Sequence, residues 1–232
     1  MDLHVILDNL HYFLLGPWPN GPLGGAALTV VLSLGSALVS AGLGLIGGIA
    51  LSLLQGRWAL SLRLLLGLLR AIPVLLLVFW IYFLLPVLWQ VDIPGPLTVM
   101  VALSLIGGAY LSHSVAAGIS SVGAGQWQAA QALGMGRLQA LRWVILPQAL
   151  PIMAPSFLNQ WITLIKDTSL AYVIGVAELS FVATQISNRE LVHPGEIFLF
   201  AGLLYFLMCG SLHWLVHRLA QRRHLALPVP TA

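Results

Sequence analysis

Leu28–Leu54 reads LTVVLSLGSALVSAGLGLIGGIALSLL, without one charged residue. A helix needs about 20 mostly apolar residues to cross the hydrocarbon layer of a bilayer, and this run is longer. Its apolar residues are continuous rather than alternating over about ten residues, so the run reads as a spanning helix and not a barrel strand. Four similar runs follow, at Leu62–Leu85, Leu97–Ile119, Pro155–Val176 and Ile197–Val216. The expected fold is therefore an all-α integral membrane bundle of about five transmembrane helices. Met1 to Gly25 carries only a short apolar patch, Tyr12 to Leu15, broken by Pro17, Pro19 and Pro22, and reads as an interfacial segment.

Composition agrees. Of 232 residues, 59% are hydrophobic and 7% charged, with a mean hydropathy of +0.95. A soluble domain carries about 25% charge, so a water-soluble enzyme, a disordered chain and a free nucleic-acid binder are all excluded. The lone Cys209 forms no internal disulfide or Cys-pair metal site, and the seven histidines show no ligand spacing. No Lys or Arg precedes Arg57, so the basic start of a cleavable signal peptide is missing.

The basic residues orient the bundle. Arg57, Arg63, Arg70, Arg137, Arg142, Arg218, Arg222 and Arg223, eight of the ten, fall in three regions that five spans place on one side. Positive charge marks the cytoplasmic side, which puts the N-terminus outside and the 219–232 tail inside. Small residues recur every fourth position at Ser36, Ser40, Gly44 and Gly48, and at Gly108, Ser112, Ala116 and Ser120. Such stripes let helix backbones approach closely, either within the bundle or across a dimer.

Residues 120–151 differ from the rest. Gln126, Gln128, Gln131, Gln139 and Gln148 appear beside Arg137 and Arg142, and the segment reads as two short amphipathic helices. Ala129, Ala130 and Leu133 are expected on one face, Gly134 and Gly136 break the run, and Pro147 ends its continuation. Such a segment either inserts into a partner's groove or folds back on its own bundle.

Gln126-Trp127-Gln128-Ala129-Ala130-Gln131-Ala132-Leu133-Gly134-Met135, followed by Val144-Ile145-Leu146-Pro147-Gln148-Ala149, resembles the "EAA" loop of bacterial ABC importer permeases, in particular those for polar amino acids. Arg70-Ala71-Ile72-Pro73, Ala109-Tyr110, Asn159 and Lys166-Asp167-Thr168-Ser169-Leu170 resemble further segments of that family, in order, over about Leu28 to Val216. The resemblance implies a type I importer permease fold over residues 26–218, paired with itself or a sister chain. It implies that loop residues Gln126, Gln128, Ala129, Ala130, Leu133, Gly134, Met135 and Pro147 couple to a cytoplasmic ATPase dimer that carries the ATP–Mg. An external amino-acid-binding protein would deliver cargo through the inner membrane. This chain has no G-x-x-x-x-G-K-(S/T) and only one Lys, so it binds no ATP in the P-loop manner and is expected to be a non-catalytic subunit with no cofactor of its own. It departs from the family at Gln128 and near His113, Ala117 and Pro151, where charged residues are usual.

Lys166 and Asp167 are expected near the middle of the fourth span, where a charge costs about 2.5–3.5 kcal/mol and normally faces a cavity or partner. Adjacent residues point about 100° apart on a helix, so the two cannot share a face. Asp167, Thr168 and Ser169 either line a translocation path that meets a substrate ammonium or belong to an internal ion-pair network. Arg70 either reaches the headgroups or pairs with Asp167 or the ATPase, and Pro73 is expected to kink the second span. Glu178, Arg189, Glu190 and Glu196 read as an outer loop, solvated or touching the binding protein. The rival classes are an ATP-independent carrier or channel, which would move cargo alone, and a membrane enzyme, which would need carboxylate clusters the spans lack.

Overall fold

The computed structural model describes residues 3–191 and 193–224, all helix, turn and loop apart from one isolated bridge between Gly25 and Glu178. The helices are α1 (Leu3–Asp8), α2 (Leu10–Leu15), α3 (Gly25–Leu53), α4 (Gly56–Ala71), α5 (Val74–Phe79), α6 (Leu85–Trp89), α7 (Gly95–Ser121), α8 (Ala124–Ala132), α9 (Arg137–Ala140), α10 (Leu146–Asp167), α11 (Leu179–Glu190) and α12 (Pro194–His224). Wide π-turns join α5 to α6 at Trp80–Leu84 and α9 to α10 at Leu141–Ile145, and a 3-10 segment, Thr168–Ile174, follows α10. Four described helices are long and apolar enough to cross a membrane, and a fifth crossing is possible only if a bent pair counts as one. The last residues of the tail, 225–232, lie outside the described residues.

That bent pair is the second expected span. Leu62–Leu85 is not one helix: α4 ends at Ala71, the arm running from α5 to α6 begins at Val74, and the two meet at 97°. Pro73 lacks an N–H and forces the residue before it out of the helical region. Ile72 accordingly sits at φ −76°, ψ 127°, with Pro73 at φ −57°, ψ 134°. The result is a break, sharper than a kink.

The fourth span differs in the other sense. Helix continues from Arg137 to Ile174 as a single apolar rod of 38 residues, so Pro147 does not end it and the span does not begin at Pro155. Pro147, Pro151 and Pro155 recur every fourth position, which places all three missing N–H groups on one face, and that face is exposed. The π-turn just before Pro147 accommodates the altered hydrogen bonding. Lys166 and Asp167 stand at the C-terminal end of α10, where the helix tightens into the 3-10 segment.

The chain forms two compact units, residues 32–170 and residues 1–31 with 171–232. In the first, the glycines of the two small-residue stripes receive large side chains of the facing helix. A Cβ placed on Gly44 would lie 2.4 Å from Leu111 Cβ, one on Gly48 2.4 Å from Val115 Cβ, and one on Gly108 2.7 Å from Leu43 Cβ. Gly35 similarly faces Met100, and Gly107 faces Ser40. Both numberings rise together, so α3 and α7 run parallel, and the chain between them must return across the bundle. Lipid tails are as apolar as Leu, so close backbone approach rather than apolar burial holds such a pair. Dimerisation is not needed to explain these stripes.

Below that pair, Val115, Ile119, Leu141, Ile145, Ala149 and Met153 form a buried cluster with Trp127 and Phe157 packed on it. This cluster seats α8 and the start of the long helix on the end of α7. In the other unit Phe13, Leu179, Val182, Ala183, Ile186, Ile197 and Ala201 join α2, α11 and α12, and the Phe13 and Phe200 rings meet edge-on at 5.0 Å.

Candidate functional site: a cavity at the broken helix and a docking loop

A cavity of about 410 Å³ opens at the α4–α5 break. Arg70, Ala71, Ile72, Pro73 and Val74 line it from the break, Ile106 and Tyr110 from α7, and Gln160, Thr163 and Asp167 from α10. Irregular backbone is tolerated within a membrane where it lines a cavity, since orphaned N–H and C=O groups there find polar company. The break supplies such groups: the first N–H groups of the arm that starts at Val74 have no carbonyl one turn back. Arg70 lies with its guanidinium carbon 4.8 Å from the Tyr110 ring centroid, a cation–π contact that holds the side chain over α7.

The cavity thus presents one fixed cation, one carboxylate, two neutral hydrogen-bonding side chains and an aromatic ring. An α-amino acid carries the complementary ammonium and carboxylate. Of the residues singled out in the sequence, Arg70, Pro73 and Asp167 come together here. Asn159 and Lys166 are exposed elsewhere on α10, Lys166 diverging from Asp167 as adjacent helical positions must. Thr168 is buried and donates to the Ile165 carbonyl at 2.7 Å, so its hydroxyl is used within its own helix. Ser169 is half-buried and is not among the lining residues. Gln160 and Thr163 were not anticipated, although Gln160, Thr163 and Asp167 follow i, i+3, i+7, one face of a helix.

The second candidate is α8. Ala130 is buried, whereas Gln126, Gln128, Ala129 and Leu133 are exposed, so Ala129, Ala130 and Leu133 do not share a face as expected. Trp127 and Ala130 form the inner side. Leu133, 78% exposed, is a large apolar side chain standing free beside Gly134. Gly134 adopts φ +78°, and the Met135 and Gly134 N–H groups donate to the Ala130 and Gln131 carbonyls at 3.1 and 2.9 Å. This is a Schellman ending, in which glycine takes the left-handed position at little cost. Gln148 Nε2 donates to Gln126 Oε1 at 3.3 Å and to the Val144 carbonyl at 2.7 Å, tying α8 to the long helix beside the exposed Pro147. Met135 is half-buried at the turn.

Residues 40–225 match the family described as binding-protein-dependent transport system inner membrane component. The chain belongs to this family. As one of its permeases, it is a transport component of the membrane and shares the type I importer architecture. It is 38% identical to the glutamate/aspartate import permease protein GltK of Escherichia coli O157:H7, over 66% of this chain and 71% of that one. It is 34% identical to the glutamine transport system permease protein GlnP of Escherichia coli strain K12, over 88% of this chain and 94% of that one. Its fold matches the crystal structure of an amino acid ABC transporter with histidines at a TM-score of 0.78 and 27% identity, covering 85% of this permease and 92% of that chain.

Glu178 contradicts expectation on this permease. It does not lie in a solvated loop but is wholly buried as the N-cap of α11. Arg189 instead stacks on Tyr12 with its guanidinium carbon 5.4 Å from the ring centroid, Glu190 accepts from Asn9 at 3.4 Å, and Glu196 meets His193 at 2.8 Å.

Proposed function

We propose that this permease carries polar amino acids into the cytoplasm as one transmembrane half of an ABC importer. The observation that carries this reading is the juxtaposition of Arg70 and Asp167 around one cavity at a broken helix. An ammonium would meet Asp167, an α-carboxylate would meet Arg70 and the N–H groups at the break, and Gln160 would meet a polar side chain. The Thr163 hydroxyl, which donates to the Asn159 carbonyl at 3.1 Å, is left to accept. The names of the relatives, which transport glutamate, aspartate and glutamine, support the same cargo class.

The remaining parts come from other chains: an ATPase dimer holding ATP–Mg in the cytoplasm, a second permease of the same or a sister kind, and an external binding protein. Gln126, Gln128, Ala129, Leu133 and Gly134 would seat α8 in the ATPase, with Ala130, Met135 and Pro147 shaping the loop from behind. Closure of the ATPase would push on α8 and, through the cluster around Ile145, on the long helix that carries Asp167. Such coupling requires the ATPase to bind two arrangements of the bundle with different affinity. The arginines at the α3–α4 turn and at α9 support an N-terminus outside and a C-terminus inside.

Uptake of labelled amino acid into proteoliposomes tests this. The permease with its ATPase and binding protein should accumulate cargo only when ATP is supplied. Accumulation by the permease alone, without ATP, would establish a carrier instead.

A further inference from the structure

Glu178 lies just beyond the 3-10 segment, and its carboxylate is fully buried. Oε1 accepts from the Phe181 N–H at 2.9 Å; Oε2 accepts from the Ser180 N–H at 2.9 Å and from the Tyr205 hydroxyl on α12 at 2.7 Å. The Tyr205 and Ser180 hydroxyls are also 3.1 Å apart. Around this carboxylate the backbone is stapled to the start of α3. The Gly25 N–H donates to the Ala177 carbonyl at 2.9 Å, and the Leu179 N–H donates to Thr29 Oγ1 at 3.2 Å. One side chain therefore caps α11, holds α12, and sits in the link to the first span. A cap alone would need neither burial nor a tyrosine: an exposed Ser or Asp supplies it.

We infer that Glu178 is a positioning residue whose proton determines how α11 is fastened to α12. Ionised, it accepts a hydrogen bond from the Tyr205 hydroxyl, and the Ser180 and Phe181 amides also donate to it. Protonated on Oε2 from bulk water, it donates to the Tyr205 oxygen, and Tyr205 turns its own proton to Ser180 Oγ. Both states are hydrogen-bonded, so the site has two arrangements. Burial, opposed by hydrogen bonds from the Ser180 and Phe181 amides and the Tyr205 and Ser180 hydroxyls, pushes the Glu178 carboxyl from its ordinary 4.5 up to about 7, within working range.

The charged groups of the packed elements do not set this. Arg189 stacks on Tyr12, Glu190 accepts from Asn9, Glu196 pairs with His193, and Asp8, His4 and His11 on α1 and α2 are exposed. The side chains acting on Glu178 are Ser180 and Tyr205, with the Ser180 and Phe181 amides.

The test compares native, Glu178→Gln and Tyr205→Phe permeases in the assembled complex, with the variant-to-native uptake ratio followed across pH. Gln stands in for the protonated acid, so the Glu178→Gln ratio should be near one at about pH 6 and change at least about threefold by about pH 8. Tyr205→Phe keeps the cap but removes the switching partner, and its ratio should change over the same range. A ratio constant with pH for both variants overturns the proposal and leaves a structural cap. If Glu178→Gln does not assemble, infrared titration of the native complex decides. A buried protonated-carboxyl band should appear as pH falls through about 7 and shift in Tyr205→Phe, and its absence overturns the proposal.

Discussion

Arg70 on α4 and Tyr110 on α7 are joined by a cation–π contact of 4.8 Å, immediately beside the break at Pro73. The contact fixes a cation at the mouth of the cavity and clamps the end of α4 to the middle of α7. The geometry of the cavity therefore depends on the break staying open, and the break depends on one residue.

Replacing Pro73 with Ala restores an N–H and lifts the restraint on Ile72. The expected outcome is a straighter second span and a smaller cavity, with insertion and assembly intact but uptake reduced about tenfold or more, a change of about 1.4 kcal/mol in the barrier. Uptake rates normalised to assembled complex check this; an unchanged rate would show that the break is dispensable.

Gly48 lies against Val115 with no room for a side chain. Gly48→Val should separate α3 from α7 and destabilise the permease by about 1–3 kcal/mol, the usual range for overpacking. A lowered Tm in detergent is the measurement. Gly42, with open space around it, is the control, and Gly42→Ala should leave Tm unaltered.

Variants at Leu133 and Gly134 separate the proposed docking of α8 from its folding. Leu133→Asp alters only an exposed side chain, so the permease should insert normally and lose ATPase co-purification. Gly134→Val places a β-branched residue at φ +78° and should deform the turn as well. Ala130→Glu is the less informative variant, since Ala130 is buried and the change would disrupt the packing of α8 itself. Undiminished co-purification of Leu133→Asp would remove α8 from the ATPase interface.

The Glu178 carboxyl fixes the sign of one contribution to stability. Its folded value of about 7 exceeds its ordinary 4.5, so between those values the folded chain holds a proton that the unfolded chain has released. The contribution is present below about 4.5 and is lost as pH rises to about 7. Tm of the native permease should fall over that window more than Tm of Glu178→Gln; parallel curves would contradict the assignment.

Much of the bundle is written in the sequence because lipid imposes a simple rule: continuous apolar runs become helices. Leu28–Leu54 and Leu97–Ile119 correspond to α3 and α7 within a few residues. Proline is where the pattern misleads, because its effect depends on its neighbours. Pro73 breaks the chain into two arms, whereas Pro147, Pro151 and Pro155, on one exposed face behind a π-turn, leave the helix whole. The site was half legible. A charged residue in an apolar run, such as Asp167, is conspicuous, whereas Gln160 and Thr163 are ordinary until α10 is set against α7. From sequence Glu178 reads as part of an outer loop, solvated or touching a partner, because nothing local announces that Tyr205, far along the chain, completes its burial.

The most direct measurement is equilibrium binding of labelled glutamine and glutamate to the purified permease–ATPase complex without the binding protein, for the native chain, Arg70→Ala and Asp167→Asn. The cavity assignment predicts saturable binding to the native complex that weakens about tenfold or more in each variant, about 1.4 kcal/mol each, while assembly and Tm are retained. Native-like binding in both variants would contradict it and place the cargo elsewhere.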